Sequence, residues 1–378
     1  MSFVAGMKTV DSMVKKRRGY KKAISLKSEL RELWYNCGLK VKAEGGHLMF
    51  PVVIDRQEKD YGEDWYIHLP VGLSEMDVRR KAHKIAAALG GAVQVERVNN
   101  LLLMRIMNGE IKQRYDYKLV DRAGMGIPVP IGYGRNGLVL LDLAKAPHLL
   151  VGGTPGFGKS AFLHQAVATI LQHGIEVYVV DLKRLEFAYL KNHTWVVTTE
   201  PDAVKLLQGL CKEMEQRINL LENQGLIKIQ DYTGEDLPYI AVIIDELAEL
   251  QADTFFVALN RLLRLCRAVG ISVIAATQRP SVKVLDGDSR AMFAARLCYQ
   301  VADELNSRMV LGEAYSEAAY LPAVPGRGVY RFGNTVQEVQ TMYLSLTRVR
   351  KLLASIGPVH PQILKPSHSL EIITLTLT

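Results

Sequence analysis

From about residue 148 onward, short apolar runs alternate with longer stretches in which apolar residues recur every three to four positions. The runs Leu149–Val151, Val177–Asp181, Trp195–Thr198, Tyr239–Asp245 and Ser272–Thr277 read as strands. The periodic stretches Ser160–His173, Pro201–Asn223 and Ala252–Ala268 read as helices. Strands without polar alternation are buried on both faces, so the pattern predicts an α/β domain whose parallel sheet is covered by helices. The earlier chain differs. His47–Val53, Trp65–Leu69, Ala92–Arg97 and Asn100–Met107 read as strands around one helix, Ser74–Leu89. In that helix Ser74 is the N-cap, Asp77 completes a capping box, and Gly90 and Gly91 end it. This is a small α+β domain. Gly124, Gly126, Pro128 and Pro130 read as a linker, and Ile131–Gly132 with Leu138–Leu143 as a strand pair that follows it. The expected layout is an N-terminal arm with a helix over 1–45, the small domain over 46–123, the large one over 124–345, and a short helix (Thr347–Ile356) with a tail over 346–378.

Composition narrows the class. The 378 residues are 48% hydrophobic and 23% charged, values of a globular chain long enough for two cores. The net charge of +8 favours a polyanionic partner without specifying one. Six of the eight residues Lys15–Lys22 are basic, which suits either a phosphate backbone or a solvated arm. Cys37, Cys211, Cys266 and Cys298 stand singly, a spacing that offers neither a zinc site nor a disulfide framework. No stretch approaches the length of a membrane span and no signal-peptide core opens the chain, so a cytoplasmic location is expected.

The chemistry concentrates after the strand His148–Val151. Gly153-Thr154-Pro155-Gly156-Phe157-Gly158-Lys159-Ser160 has the spacing G-x-x-x-x-G-K-S of a phosphate-binding loop. Its glycines let consecutive N–H groups face phosphate oxygens, and the helix that follows presents its positive end. Gly153 through Ala161 are therefore the nucleotide contacts, with Lys159 on the β and γ phosphates and Ser160 on Mg²⁺. The strand Tyr239–Ile244 ends in Asp245-Glu246, where open α/β sheets place ligands. Asp245 is positioned to hold Mg²⁺ and Glu246 to act as base toward water. The strand Ile271–Thr277 ends in Gln278, an amide suited to sensing the γ phosphate.

These motifs, in this order, resemble the motor domain of the FtsK/SpoIIIE DNA translocases, within the FtsK–HerA group of hexameric P-loop ATPases. The features that carry the resemblance are His148-Leu149-Leu150-Val151 before the loop, the segment Asp181–Glu186, Glu213–Glu215 with Arg217, Leu237-Pro238-Tyr239 leading to Asp245-Glu246, Arg267–Ile271, Ala276–Val282, Asn306–Arg308 and Gly326–Gly328. They span roughly residues 130–345. The resemblance implies a RecA-like fold, ATP and Mg²⁺ as ligands, and a hexameric homo-oligomer with ATP between subunits. An arginine from the neighbour would complete each site; Arg267, Arg264 and Arg308 are candidates that the sequence does not rank. Duplex DNA would pass through the pore and touch Lys283, Arg290 and Arg296 without reading sequence. Members of the family also carry membrane spans and a winged helix. The stretch after Leu344 is too short for the latter, so anchoring and direction-reading are not expected here. A hexameric replicative helicase or a conjugative coupling ATPase shares this chemistry, and a nucleotide-switched assembly factor is the non-motor alternative.

Overall fold

The computed structural model describes residues 28–122, 124–234, 237–278 and 285–356. The basic run at 15–22 and the candidate Lys283 lie outside the described residues. The chain divides into two compact units at Gly109/Glu110.

The first unit begins with a helix over 28–36 (α1) and a two-stranded ribbon, β1 (Val41–Lys42) and β2 (Leu48–Met49). A four-stranded antiparallel sheet follows, in the order β3-β4-β6-β5, from β3 (Val52–Lys59), β4 (Gly62–His68), β5 (Ala92–Val98) and β6 (Leu101–Met107). The expected capping box is present: Ser74 accepts from the Asp77 N–H, and the Asp77 side chain accepts from the Ser74 N–H. The helix it starts is broken in two at Lys81, giving α2 (Glu75–Arg80) and α3 (Ala82–Leu89), and Gly90 closes it in the left-handed conformation. Trp34, Trp65, Ile67, Ile85 and Met104 form its core.

The second unit is built on a ten-stranded sheet ordered β11-β10-β12-β13-β9-β14-β15-β16-β7-β8. Six neighbouring strands run parallel: β11 (Trp195–Val197), β10 (Glu176–Val180), β12 (Ile240–Ile244), β13 (Ile271–Thr277), β9 (His148–Gly152) and β14 (Ala295–Tyr299). An antiparallel extension continues from β14 through β15 (Arg327–Phe332), β16 (Thr335–Gln340), β7 (Pro128–Gly134) and β8 (Gly137–Asp142). Alternate residues of each central strand feed opposite cores, as the period of two demands. Tyr178, Val180, Val242, Ile244, Val273 and Ala275 pack with α5 (Glu200–Asn223) and α6 (Asp253–Leu265). Val177, Val179, Ala241, Ile243, Ile274 and Ala276 pack with α4 (Lys159–Gln172) on the other face. Each such buried aliphatic side chain contributes roughly 1.5–3 kcal/mol, and together they hold the strand ends in fixed register. Helices α7 (Gly287–Met292) and α8 (Glu304–Leu311) flank β14, and α9 (Leu346–Ile356) lies against α4.

Two further features depart from the sequence reading. Residues 110–122, expected in the small domain, pack into the second unit: the buried Tyr117 hydroxyl meets Thr169 Oγ1 at 2.9 Å and Gln172 Oε1 at 3.0 Å on α4, and Arg327 donates to the Ile111 carbonyl at 2.9 Å. The glycines and prolines read as a linker are a packed turn and a strand. A Cβ on Gly126 would lie 2.4 Å from that of Ala144, and the Gly126 and Ile127 N–H groups both donate to Asp142 Oδ1 at 3.1 Å. Glycine serves close approach there, not freedom. Arg217, almost fully buried, straps α5 to the sheet through the Pro238 and Val269 carbonyls at 2.8 and 2.9 Å.

Candidate nucleotide site

Five adjacent parallel strands bring their C-terminal ends to one rim: β10 with Asp181–Glu186, β12 with Asp245-Glu246, β13 with Gln278, β9 with the glycine loop, and β14 with Tyr299-Gln300. The register aligns them, with Gly152 opposite both Thr277 and Cys298, and Ile244 opposite both Val180 and Ala275.

β9 is buried along its length, and the chain leaves it through Gly153, Gly156 and Gly158 at φ of 148°, 85° and 116°, values that L side chains rarely adopt. The loop is clasped from both sides. Thr154 donates its N–H and hydroxyl to the Gln300 carbonyl at 3.0 and 2.9 Å, and the Gly326 N–H donates to the Phe157 carbonyl at 2.9 Å. A Cβ on Gly153 would stand 2.7 Å from the Tyr299 Cβ, and one on Gly158 would stand 2.9 Å from the Gly326 Cα. Pro155 and Gly156 at the crest are exposed, whereas Phe157 and Ala161 are half-buried. Helix α4 starts with Gly158 as its N-cap and no side-chain cap, so its first-turn N–H groups face the loop.

Lys159 is 7% exposed, and no ion pair reaches it among the described residues. Burial pulls its pKa below the usual lysine range, against the fields of Glu246 and Asp245, which raise it. Asp245 is 6% exposed, and its pKa is pushed up to about 6 by burial first and then by the charge of Glu186. Both groups are charges short of a counter-ion. A phosphate would supply one to Lys159 and a cation the other to Asp245. Ser160 Oγ donates to Glu186 Oε1 at 3.3 Å. Hydroxyl and carboxylate oxygens are the donor set that suits Mg²⁺. Among the described residues there is no cluster of three or more His, Cys, Asp or Glu that could hold a metal ion.

Glu246 is fixed more firmly than the sequence implied. Both of its carboxylate oxygens accept from the Gln278 backbone N–H at 3.0 Å, and Lys183 Nζ stands 3.7 Å from Oε2. Gln278 thus enters the site first through its backbone. Lys183, Glu186, Gln300 and Gly326 belong to the site and were not assigned a role from sequence. The segments containing Lys183, Glu186 and Gly326 were visible as motifs, whereas Gln300 left no signal because β14 was not foreseen.

The remaining candidates lie elsewhere. Arg264 and Arg267 are exposed at the end of α6 and in the turn before β13, at the opposite end of that strand from Gln278, and the structure does not bring them to the chain's own loop. Arg308 is paired with Glu304 on its own helix. Arg296, expected at DNA, is corrected. It is 8% exposed and donates to the carbonyls of Phe293, Val310 and Arg290 at 3.0, 3.2 and 2.7 Å, so it ties α7 and α8 to β14 and presents no free face to a phosphate. Arg290 is half-buried, with one nitrogen 3.3 Å from the Met309 carbonyl.

A glycine loop clasped at the centre of a parallel sheet, with an acid pair and a polar tip on the neighbouring strands, defines the fold of the RecA-like P-loop ATPases. Solved structures share this fold. The pCW3 conjugation coupling protein TcpA, in its monomer form with ATPγS, superposes with a TM-score of 0.62 at 24% identity over 87% of this chain and 99% of that one. EssC ATPases 2 and 3 from Geobacillus thermodenitrificans give 0.57 at 17% identity, over 71% and 57%. Within that class, residues 110–236 match the FtsK/SpoIIIE family model. Similar curated proteins include DNA translocase FtsK of Chlorobaculum tepidum, 32% identical over 63% of this chain and 32% of that protein. DNA translocase SpoIIIE of Bacillus subtilis is 31% identical over 75% and 38% respectively. The chain therefore spans 32% and 38% of the length of these two relatives. Among the described residues no helix is long and apolar enough to cross a membrane.

Proposed function

We propose that this protein is an ATP-driven motor on duplex DNA, assembled as a hexameric ring that hydrolyses ATP between its subunits.

 The observation that carries this reading is the rim itself: Lys159, Ser160, Asp245 and Glu246 converge on one clasped loop, inside a domain whose curated relatives are DNA translocases. Lys159 and the first-turn N–H groups of α4 bind and orient the triphosphate. Ser160 and Asp245 would hold Mg²⁺, which when bound draws charge from the phosphate oxygens. Glu246, immobilised by the Gln278 N–H and Lys183, orients a water and accepts its proton. Arg264 and Arg267 are exposed and far from their own loop, as residues that serve a neighbour's site must be, and such an arginine contributes roughly 10³-fold or more to rate. Arg290 and Lys283 are the proposed DNA contacts.

Lys159→Ala is expected to abolish nucleotide binding, and Glu246→Gln to bind ATP without hydrolysing it. A Glu246→Gln protein with wild-type turnover would remove Glu246 from its role. A second reading, a coupling ATPase for DNA transfer, is supported by the fold match to TcpA over nearly the whole of both chains. Comparing hydrolysis on single-stranded and duplex DNA separates the two, since the motor reading requires the duplex to stimulate more.

A further inference from the structure

The phosphate-loop serine has its hydroxyl proton directed at a carboxylate outside the Asp245-Glu246 pair. Ser160 Oγ donates to Glu186 Oε1 at 3.3 Å, and no hydrogen bond joins Ser160 to Asp245 among the described residues. Glu186 is held in turn. Its other oxygen lies 3.3 Å from His164 Nε2, and His164 Nδ1 is 2.8 Å from the Tyr189 hydroxyl. Ser160 and His164 are four residues apart on α4, so they share a face and meet the two oxygens of one carboxylate.

The chain that delivers Glu186 is itself fixed. Asp181, fully buried at the end of β10, accepts from the Arg184 N–H through Oδ1 and from the Phe187 N–H through Oδ2, both at 3.0 Å. Arg184 takes a φ of 64°, the turn that folds the segment back over α4, and Phe187 is buried beside His164. Glu186 sits between these two anchored residues.

We propose that Glu186 is a positioning residue for the metal-bound nucleotide: it accepts the Ser160 hydroxyl proton and so aims that oxygen's lone pairs at the cation. A hydroxyl that gives a lone pair to Mg²⁺ keeps its O–H, which needs an acceptor. Glu186 supplies one from a fixed direction, whereas without it the hydroxyl rotates freely. Partners of this kind, one step removed from the ion, typically change metal affinity 10–100-fold. The proposal rests on the reading of Gly153–Ser160 as a Mg²⁺-nucleotide site.

The test is the binding of a fluorescent, slowly hydrolysed ATP analogue to the full chain, titrated with Mg²⁺ and repeated in EDTA. Glu186→Ala is expected to raise the Mg²⁺ concentration for half-saturation about 10-fold or more, with affinity in EDTA unchanged within about twofold. Glu186→Met, which keeps the stem and removes the acceptor, should do the same if the alanine variant folds poorly, and Glu186→Gln, whose amide oxygen still accepts, should recover part of the loss. In a Ser160→Ala background, Glu186→Ala should add nothing, because the effect runs through the hydroxyl. Wild-type Mg²⁺ dependence in both Glu186→Ala and Glu186→Met, or additive losses in the double variant, would overturn the proposal while leaving the nucleotide site standing. If Lys159→Ala binds the analogue as the wild type does, the site reading fails and the proposal with it.

Discussion

Adding one methyl group at Gly158 tests how the loop is held. The position has φ of 116°, a conformation that costs an L residue about 1–3 kcal/mol. The new Cβ would also stand 2.9 Å from both the Cα and the N of Gly326 and 3.4 Å from Tyr299 Cε1. Gly326 cannot yield cheaply, because its N–H donates to the Phe157 carbonyl at 2.9 Å and its own carbonyl accepts from the Thr341 N–H at 2.9 Å. Strain and overlap together come to about 2–4 kcal/mol. At about 2–4 °C per kcal/mol for a domain of this size, the melting temperature should fall by about 10 °C. Gly156→Ala is the internal control, since its φ of 85° is also strained but its Cβ meets nothing within 4 Å. It should cost only about 1 kcal/mol. Calorimetry of both variants, with nucleotide affinity measured alongside, makes the comparison. Equal melting temperatures for the two variants would refute the claim that Gly326 and Tyr299 clasp the loop.

Two buried groups give pH signatures of opposite sign. Burial lowers the His148 pKa from 6.5 to about 4, so the unfolded state binds the extra proton between those values. Stability is therefore lost as pH falls from 6.5, by up to about 3 kcal/mol near pH 4, and His148→Gln should flatten that loss in denaturation curves. Asp245, raised from 3.8 to about 6, takes up its proton in the folded state. Its charge costs stability fully above pH 6, so Asp245→Asn should be more stable than wild type at pH 8 by about 2–3 kcal/mol and no more stable near pH 4, while failing to bind Mg²⁺-nucleotide. Arg296→Met should destabilise by about 3 kcal/mol, through the loss of three guanidinium hydrogen bonds to the carbonyls of Phe293, Val310 and Arg290. The folded variant should keep its DNA affinity in filter binding, and a specific loss of DNA binding at unchanged stability would restore Arg296 to the DNA surface.

The parallel core was legible because its strands are unbroken apolar runs that only a sheet buried on both faces can absorb, and the glycine loop because its spacing is itself the chemistry. Strands β14, β15 and β16 were not foreseen. β14 carries Arg296 within it, and that residue read as a surface cation until its guanidinium proved to be spent on carbonyls from α7 and the end of α8. Residues 110–122 have little periodicity, and what binds them to α4 and β15 is side-chain hydrogen bonding from Tyr117 and Arg327, which no pattern of apolar positions records. The same holds within the site. Asp245 and Glu246 were readable as a strand-end pair, whereas the attachment of Glu246 to the Gln278 N–H and of Ser160 to Glu186 depends on which strand ends become neighbours.

Movement along duplex DNA is the central claim, and displacement of a labelled third strand from a triplex site on linear duplex tests it most directly. With ATP and Mg²⁺ the wild-type protein should strip the third strand in a reaction abolished by Lys159→Ala and by Glu246→Gln. Brisk ATP hydrolysis on the same DNA with the third strand left in place would contradict the account.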